Sequence, residues 1–239
     1  MEQRQMGRTN YSAQAATGVD STLFLAKVFN WMAVGLGLTA VIAFAVSSAM
    51  TPEILAANRG LLFILMFAEL GLVVYLSARV EKLSPATATA LFLLYSGLNG
   101  ITLSWVLLVY TATSVAATFM VTAGMFGAMA VYGFVTKRDL SSWGSFLFMG
   151  LIGIIIASVV NIFLGSSQMS WIISGIGVIV FTGLTAYDVQ DISRMGSSVE
   201  MAQAGEGAVK KMAIIGALRL YLDFINLFLM LLRFLGDRD

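Results

Sequence analysis

The chain has 239 residues, of which 59% are hydrophobic and only 11% charged, whereas a soluble domain carries roughly a quarter of its residues charged. That supply cannot build a water-facing surface, and a formal net charge of +1 argues against a nucleic-acid partner. With no cysteine and no histidine, a disulfide framework, a thiolate nucleophile, an imidazole base and the usual zinc or haem ligands are excluded, leaving carboxylates, Arg, Lys, Tyr and hydroxyls for any chemistry.

In chain order, residues 1–21 form a polar tail with Arg4, Arg8 and Asp20. The apolar stretch behind it is much longer than the core of a secretory signal, so no cleaved peptide is expected. Residues 22–239 read as a single transmembrane domain. Apolar runs fall at about 28–49, 60–78, 86–110, 112–135, 143–165, 171–191 and 210–235, and a span of ~30 Å of hydrocarbon needs ~20 such residues. An all-α bundle of seven transmembrane helices in the lipid bilayer follows. Thr51 and Pro52 close the first run, Ser84 and Pro85 open the third, and Lys137, Arg138 and Asp139 end the fourth. Only Thr111 to Ser114 join the third and fourth runs, which predicts antiparallel neighbours. Ala123 with Gly127, Gly124 with Ala128 and Gly150 with Gly153 predict close helix approach. Trp31, Trp105, Tyr110, Trp143 and Trp171 stand near run ends, where interfacial anchors are expected.

Orientation follows from Lys and Arg, which are retained on the cytoplasmic side. The tail and the second, fourth and sixth connections hold Arg4, Arg8, Lys27, Arg79, Lys82, Lys137, Arg138, Arg194, Lys210 and Lys211, and the other connections hold only Arg59. The N-terminus is therefore expected in the cytoplasm. Seven full crossings place Arg233 and Arg238 outside, against the rule. A last run that dips in and returns would instead leave six spans and a re-entrant segment.

Few charges fall inside the runs: Glu69 in the second, Asp188 near the inner end of the sixth, and Arg219 and Asp223 in the seventh. An ionisable group at that depth costs at least ~2.5–3.5 kcal/mol, so it faces a partner or water and marks a pathway. Arg219, Asp223, Asn226, Met230 and Arg233 recur at steps of four and three and share one helix face. Such a stripe cannot face acyl chains, so the seventh helix belongs at the centre of the others. Two arrangements remain open. Arg219 and Asp223, at i and i+4, can pair as structural glue. Alternatively, Asp223 meets Asp188 across two helices; two carboxylates that close cannot both stay ionised and share a proton, a pH sensor without histidine. Their hard oxygens suit Ca²⁺ better than a soft transition metal. Counting 1.5 Å per residue from Lys211 places Asp223 roughly 18 Å along its helix, deeper than Asp188. Pairing then requires the seventh helix to begin in the cytosol, or a water-filled crevice.

The stretches Gly183-Leu184-Thr185-Ala186-Tyr187-Asp188-Val189-Gln190 and Leu220-Tyr221-Leu222-Asp223-Phe224-Ile225-Asn226-Leu227-Phe228 resemble the two signature segments of the Bax inhibitor family, the transmembrane Bax-inhibitor-motif proteins, and look most like its bacterial branch. The likeness runs over about residues 22–236 and includes Thr122 to Gly127 and Thr136 to Leu140. The resemblance implies a seven-helix bundle with the last helix central, in a bacterial inner membrane, and a pH-sensitive calcium leak governed by the aspartates that fall on Asp188 and Asp223. Tyr187, Tyr221 and Asn226 would line the site. A basic residue near the inner end of the second helix would latch the pair, and Arg79 is the nearest match; Glu69 is a further charge partner. Val189 stands where the pattern more often has Thr. Arg219 departs further, because a small or neutral residue is expected there; a cation one turn before Asp223 would hold it ionised and close the leak.

The leading expectation is thus a calcium or cation leak, with Ca²⁺ as the transported ion and no cofactor. Second is a regulatory protein that acts on a membrane protease or another partner through its tail. Third is a proton-coupled carrier with Asp188 and Asp223 as relay. An enzyme is least expected, since nothing beyond two carboxylates suggests a hydrolase.

Overall fold

The computed structural model describes residues 21–79, 82–198, 201 and 203–237; most of the polar tail, with Arg4, Arg8 and Asp20, lies outside them, as does Arg238. Among the described residues eight helices follow one another: α1 (Ser21–Ala49), the short α2 (Pro52–Ala57), α3 (Arg59–Arg79), α4 (Pro85–Val109), α5 (Ala112–Val135), α6 (Ser141–Leu164), α7 (Ser167–Gly196) and α8 (Glu206–Leu235). All but α2 are long and apolar enough to cross a membrane, and the chain is a multi-pass membrane protein of seven spans.

Local chemistry sets the boundaries. Ser84 caps α4 by accepting from the Thr87 N–H at 3.1 Å, with Pro85 in the first turn, where its missing N–H costs nothing. Thr111 and Ser166 cap α5 and α7 in the same way. Gly165 ends α6 in the left-handed region, φ 62°, which only glycine adopts without strain.

The last helix is the axis. α8 packs on α7, α1, α5 and α4, and 67% of its apolar stretch is buried, against 11% for α3. It runs unbroken for 30 residues, ~45 Å at the helical rise. A re-entrant last segment is thereby excluded. Its far end reaches the start of α7, where Phe234 stacks on Trp171 at 4.6 Å, and the end of α4, where Tyr110 packs on Phe228 and Leu232. Tyr110 is accordingly buried rather than an interfacial anchor, whereas Trp143 and Trp171 are exposed.

Two packing expectations fail for physical reasons. α4 and α5 leave their tight turn antiparallel but do not pack along their lengths; each lies against α8 instead. Between them sits a cavity of about 150 Å³ whose lining includes Leu103, Val106, Val115, Phe119 and Phe228. Gly124, Gly127 and Gly153 have open space where a side chain would be and mark no helix contact, whereas Gly150 does lie close against Val180 of α7. The close approaches lie nearer the predicted site: Gly133 of α5 lies against the backbone of Ala186, and Gly144 of α6 lies beneath the Tyr187 ring. Both bring a helix onto α7 just before Asp188.

Candidate functional site

The site lies in the seam between α7 and α8. These helices run antiparallel in a register fixed by four contacts: Trp171 on Phe234, Gly177 against Met230, Ile192 over Gly216, and Asp191 paired with Arg219. In that register position 188 falls opposite 223. The two carboxyl groups face one another within hydrogen-bonding reach. The depth mismatch expected from the sequence dissolves because both helices are longer than their apolar runs. α7 continues past 191 to Gly196, and α8 begins at Glu206, ahead of Lys211.

Burial separates the partners. Asp223 is only 4% exposed and Asp188 is half-buried. Oδ2 of Asp223 is buried and receives no N–H or O–H from any described residue. A buried carboxylate oxygen without a donor costs several kcal/mol in an apolar surrounding, so the facing carboxyl matters.

Arg219 does not pair with Asp223. Its Nη1 donates to Oδ2 of Asp191 at 2.7 Å. The reading of Arg219 and Asp223 as glue is corrected accordingly: the residue three ahead of Asp188 on α7 takes the guanidinium. Arg79 is not at the pair either. It stands exposed on the last turn of α3, a peripheral helix packed on α4, and among the described residues it makes no ion pair.

The remaining candidates divide between two places. Tyr187 covers Gly144 beside the pair. Asn226, one turn beyond Asp223, donates to the Leu222 carbonyl of its own helix at 2.8 Å. Tyr221 points to the opposite side of α8: its hydroxyl lies 2.7 Å from Thr39 Oγ1, and its ring packs edge-on against Tyr95 and Phe92. Glu69 belongs to that second side and accepts from Thr102 Oγ1. Neither reaches the carboxyl pair.

Sequence reasoning assigned no role to Asp191, to Gln190 or to the loop that Gln190 holds. Gln190 Oε1 accepts the Leu140 N–H at 2.9 Å and its Nε2 donates to the Arg138 carbonyl at 2.9 Å. One turn on, Arg194 Nη1 bonds Asp139 Oδ1 at 2.8 Å and Ser141 Oγ at 3.1 Å. The connection from α5 to α6 is thus clamped onto α7 just past Asp188. Hydrogen bonds from Ser141 and then Arg194 hold the exposed Asp139 carboxyl down at about 2. The signal was the stagger: an acid at 191 and a base at 219 stand one turn from 188 and 223 on helices of opposite direction, so one contact implies the other.

The architecture is that of a multi-pass membrane protein, a seven-span bundle whose central last helix sets a buried carboxyl against a second carboxyl on the preceding helix. The chain belongs to the Bax inhibitor family: residues 21–239 match the family model described as inhibitor of apoptosis-promoting Bax1. It is 52% identical to the inner membrane protein YbhL of Escherichia coli K12 over 97% of both chains. It is 51% identical to a protein of Borreliella burgdorferi over 90% of this chain and 92% of that one, and 39% identical to a membrane protein of Streptococcus pyogenes serotype M1 over 90% and 93%.

Proposed function

We propose that the protein is a proton-sensitive calcium leak of the bacterial inner membrane, in which Asp188 and Asp223 form the switch. The observation that carries this reading is the opposed carboxyl pair with a donor-less buried oxygen on Asp223. One proton between the two carboxyls satisfies that oxygen and ties α7 to α8. Its loss leaves two like charges in a dry seam, which part and draw in a cation. The membrane placement of YbhL supports the location.

The Lys- and Arg-rich end of the bundle faces the cytoplasm, and the half-buried Asp188 with its neighbours Asp191 and Arg219 opens toward that end. Beyond Asp223 the opposite half is closed by aromatic rings: Phe224 packs edge-on against Phe119 and Phe126, and Phe119 against Phe228. Water and ions do not enter such an apolar constriction until it widens. Two carboxylates supply at most about four of the six to eight oxygens calcium takes, and among the described residues no group of three acidic side chains is placed to hold a metal ion. Water completes the shell, and the ion passes rather than stays.

The test is calcium entry into liposomes carrying the purified protein. Flux should rise between about pH 6 and pH 8, the range over which a shared carboxyl proton is released, and Asp223→Asn should abolish that rise. Absent flux, or a pH profile unchanged by the substitution, overturns the proposal.

A further inference from the structure

The ion pair of Arg219 and Asp191 lies one helical turn, about 5 Å, from the carboxyl pair on the side of the basic end. Its side chains are 42% and 39% exposed, whereas Asp223 is 4% exposed. Anything that approaches Asp223 along the seam from that end passes the guanidinium first. The guanidinium has a choice of anions: it holds Asp191 at 2.7 Å, and one helical turn further along the seam stand Asp223, four residues on from Arg219, and Asp188, three residues before Asp191. A long, flexible, permanently charged side chain between three carboxylates occupies whichever is least compensated.

We infer that Arg219 is a tethered cation that competes with the permeating ion for the Asp188 and Asp223 carboxyls, and that Asp191 is its parking site. The inference rests on the leak reading for its consequence, but its electrostatic content concerns the pair alone. With Arg219 parked on Asp191, the pair can take a proton or a metal ion. When Asp191 releases it, the guanidinium swings one turn inward, neutralises the pair and excludes both. Arg219 is therefore a positioning and selectivity residue, and Asp191 sets how often it intervenes.

A salt bridge that only braces the two helices changes flux with the same sign whichever half is removed. A tethered competitor gives opposite signs. Arg219→Gln removes the competitor but also lets the pair keep its proton to higher pH, so calcium flux should begin at a higher pH than in the unaltered protein and, once the pair is deprotonated, exceed it by roughly tenfold, the scale on which a neighbouring charge acts on a carboxyl. Asp191→Asn frees the guanidinium for the pair and should lower flux by a similar factor. The double variant should follow Arg219→Gln, and Arg219→Lys, which keeps the charge, should stay near the unaltered protein.

A calcium-free readout separates this inference from the leak itself. Hydrophobic carbodiimides label protonated buried carboxyls, so labelling of Asp223 near neutral pH, read by mass spectrometry, should rise in Arg219→Gln and fall in Asp191→Asn. Asp223→Asn provides the blank. Fixed charges of opposite sign also shift labelling oppositely, so the double variant decides: it should label like Arg219→Gln, and a return to the level of the unaltered protein, or single variants that shift together or not at all, overturns the tethered-cation inference. If labelling follows the expected pattern while the unaltered protein carries no calcium, the competitor stands and the leak reading fails.

Discussion

The clamp by which Gln190 holds the connection from α5 to α6 offers a test of what fixes α7 beside the pair. Gln190→Met keeps chain length, near-equal volume and helix propensity while removing both polar groups. The Leu140 N–H then loses its acceptor at a buried position, as Leu140 is 8% exposed, and an unsatisfied buried group costs about 1–3 kcal/mol. The Arg138 carbonyl, nearer solvent, recovers water and adds about 1 kcal/mol. The sum is about 2–4 kcal/mol. The neighbouring Arg194→Gln removes an ion pair whose side chains are 50% and 68% exposed, and such surface pairs contribute about 0–1 kcal/mol. Thermal unfolding in detergent, followed by tryptophan fluorescence, should therefore rank Gln190→Met well below Arg194→Gln. Hydrogen exchange should quicken over residues 136–141 in the first variant. Equal unfolding midpoints, or exchange unchanged in Gln190→Met, would refute the assignment of the clamp to the amide.

Asp139 makes a prediction about acid. Its folded-state value of about 2 lies below that of an unfolded aspartate, so its contribution is complete above about pH 4 and vanishes as pH falls toward 2. Asp139→Asn should accordingly leave the pH midpoint of calcium flux between about pH 6 and 8 where it is; a displaced midpoint would implicate the loop in the switch. On the other side of α8, Thr39 Oγ1 donates its one hydrogen to the Ser96 carbonyl at 2.8 Å, so the Tyr221 hydroxyl is the donor in their 2.7 Å contact. Tyr221→Phe removes that bond but leaves Thr39 its carbonyl, at about 1 kcal/mol, while Thr39→Val strands the buried Tyr221 hydroxyl, the Ser96 carbonyl keeping its partner within the helix, at about 1–3 kcal/mol. Unfolding midpoints in the reverse order would overturn the donor assignment.

What the sequence made legible was the number of spans and the helix that had to be central. The first follows from the length of the apolar runs, the second from the rule that polar stripes cannot face acyl chains, and the run of Arg219, Asp223, Asn226 and Met230 makes that stripe visible in the sequence. The ends of the runs were less legible, since apolarity stops at the first charges and helices need not. α7 extends through Asp191 and Arg194 to Gly196, because each of those charges finds an opposite one on another segment. That extension lengthens the α7–α8 seam and brings Asp188 to the level of Asp223. The partner of Arg219 was hidden for the same reason. Spacing within one helix offers Asp223 at i+4 as the nearest anion, and only the antiparallel register shows that Asp191 is closer in space. Arg79 was misplaced by the opposite error: its position at the end of its helix was right, but nothing in the sequence says that α3 packs on α4 rather than on α7 or α8. A charge near the inner end of a span therefore has no partner that sequence spacing can name. Where two charged helices share a seam, their register sets the partners, and here it interposes a permanent cation between the basic end of the bundle and the carboxyl pair.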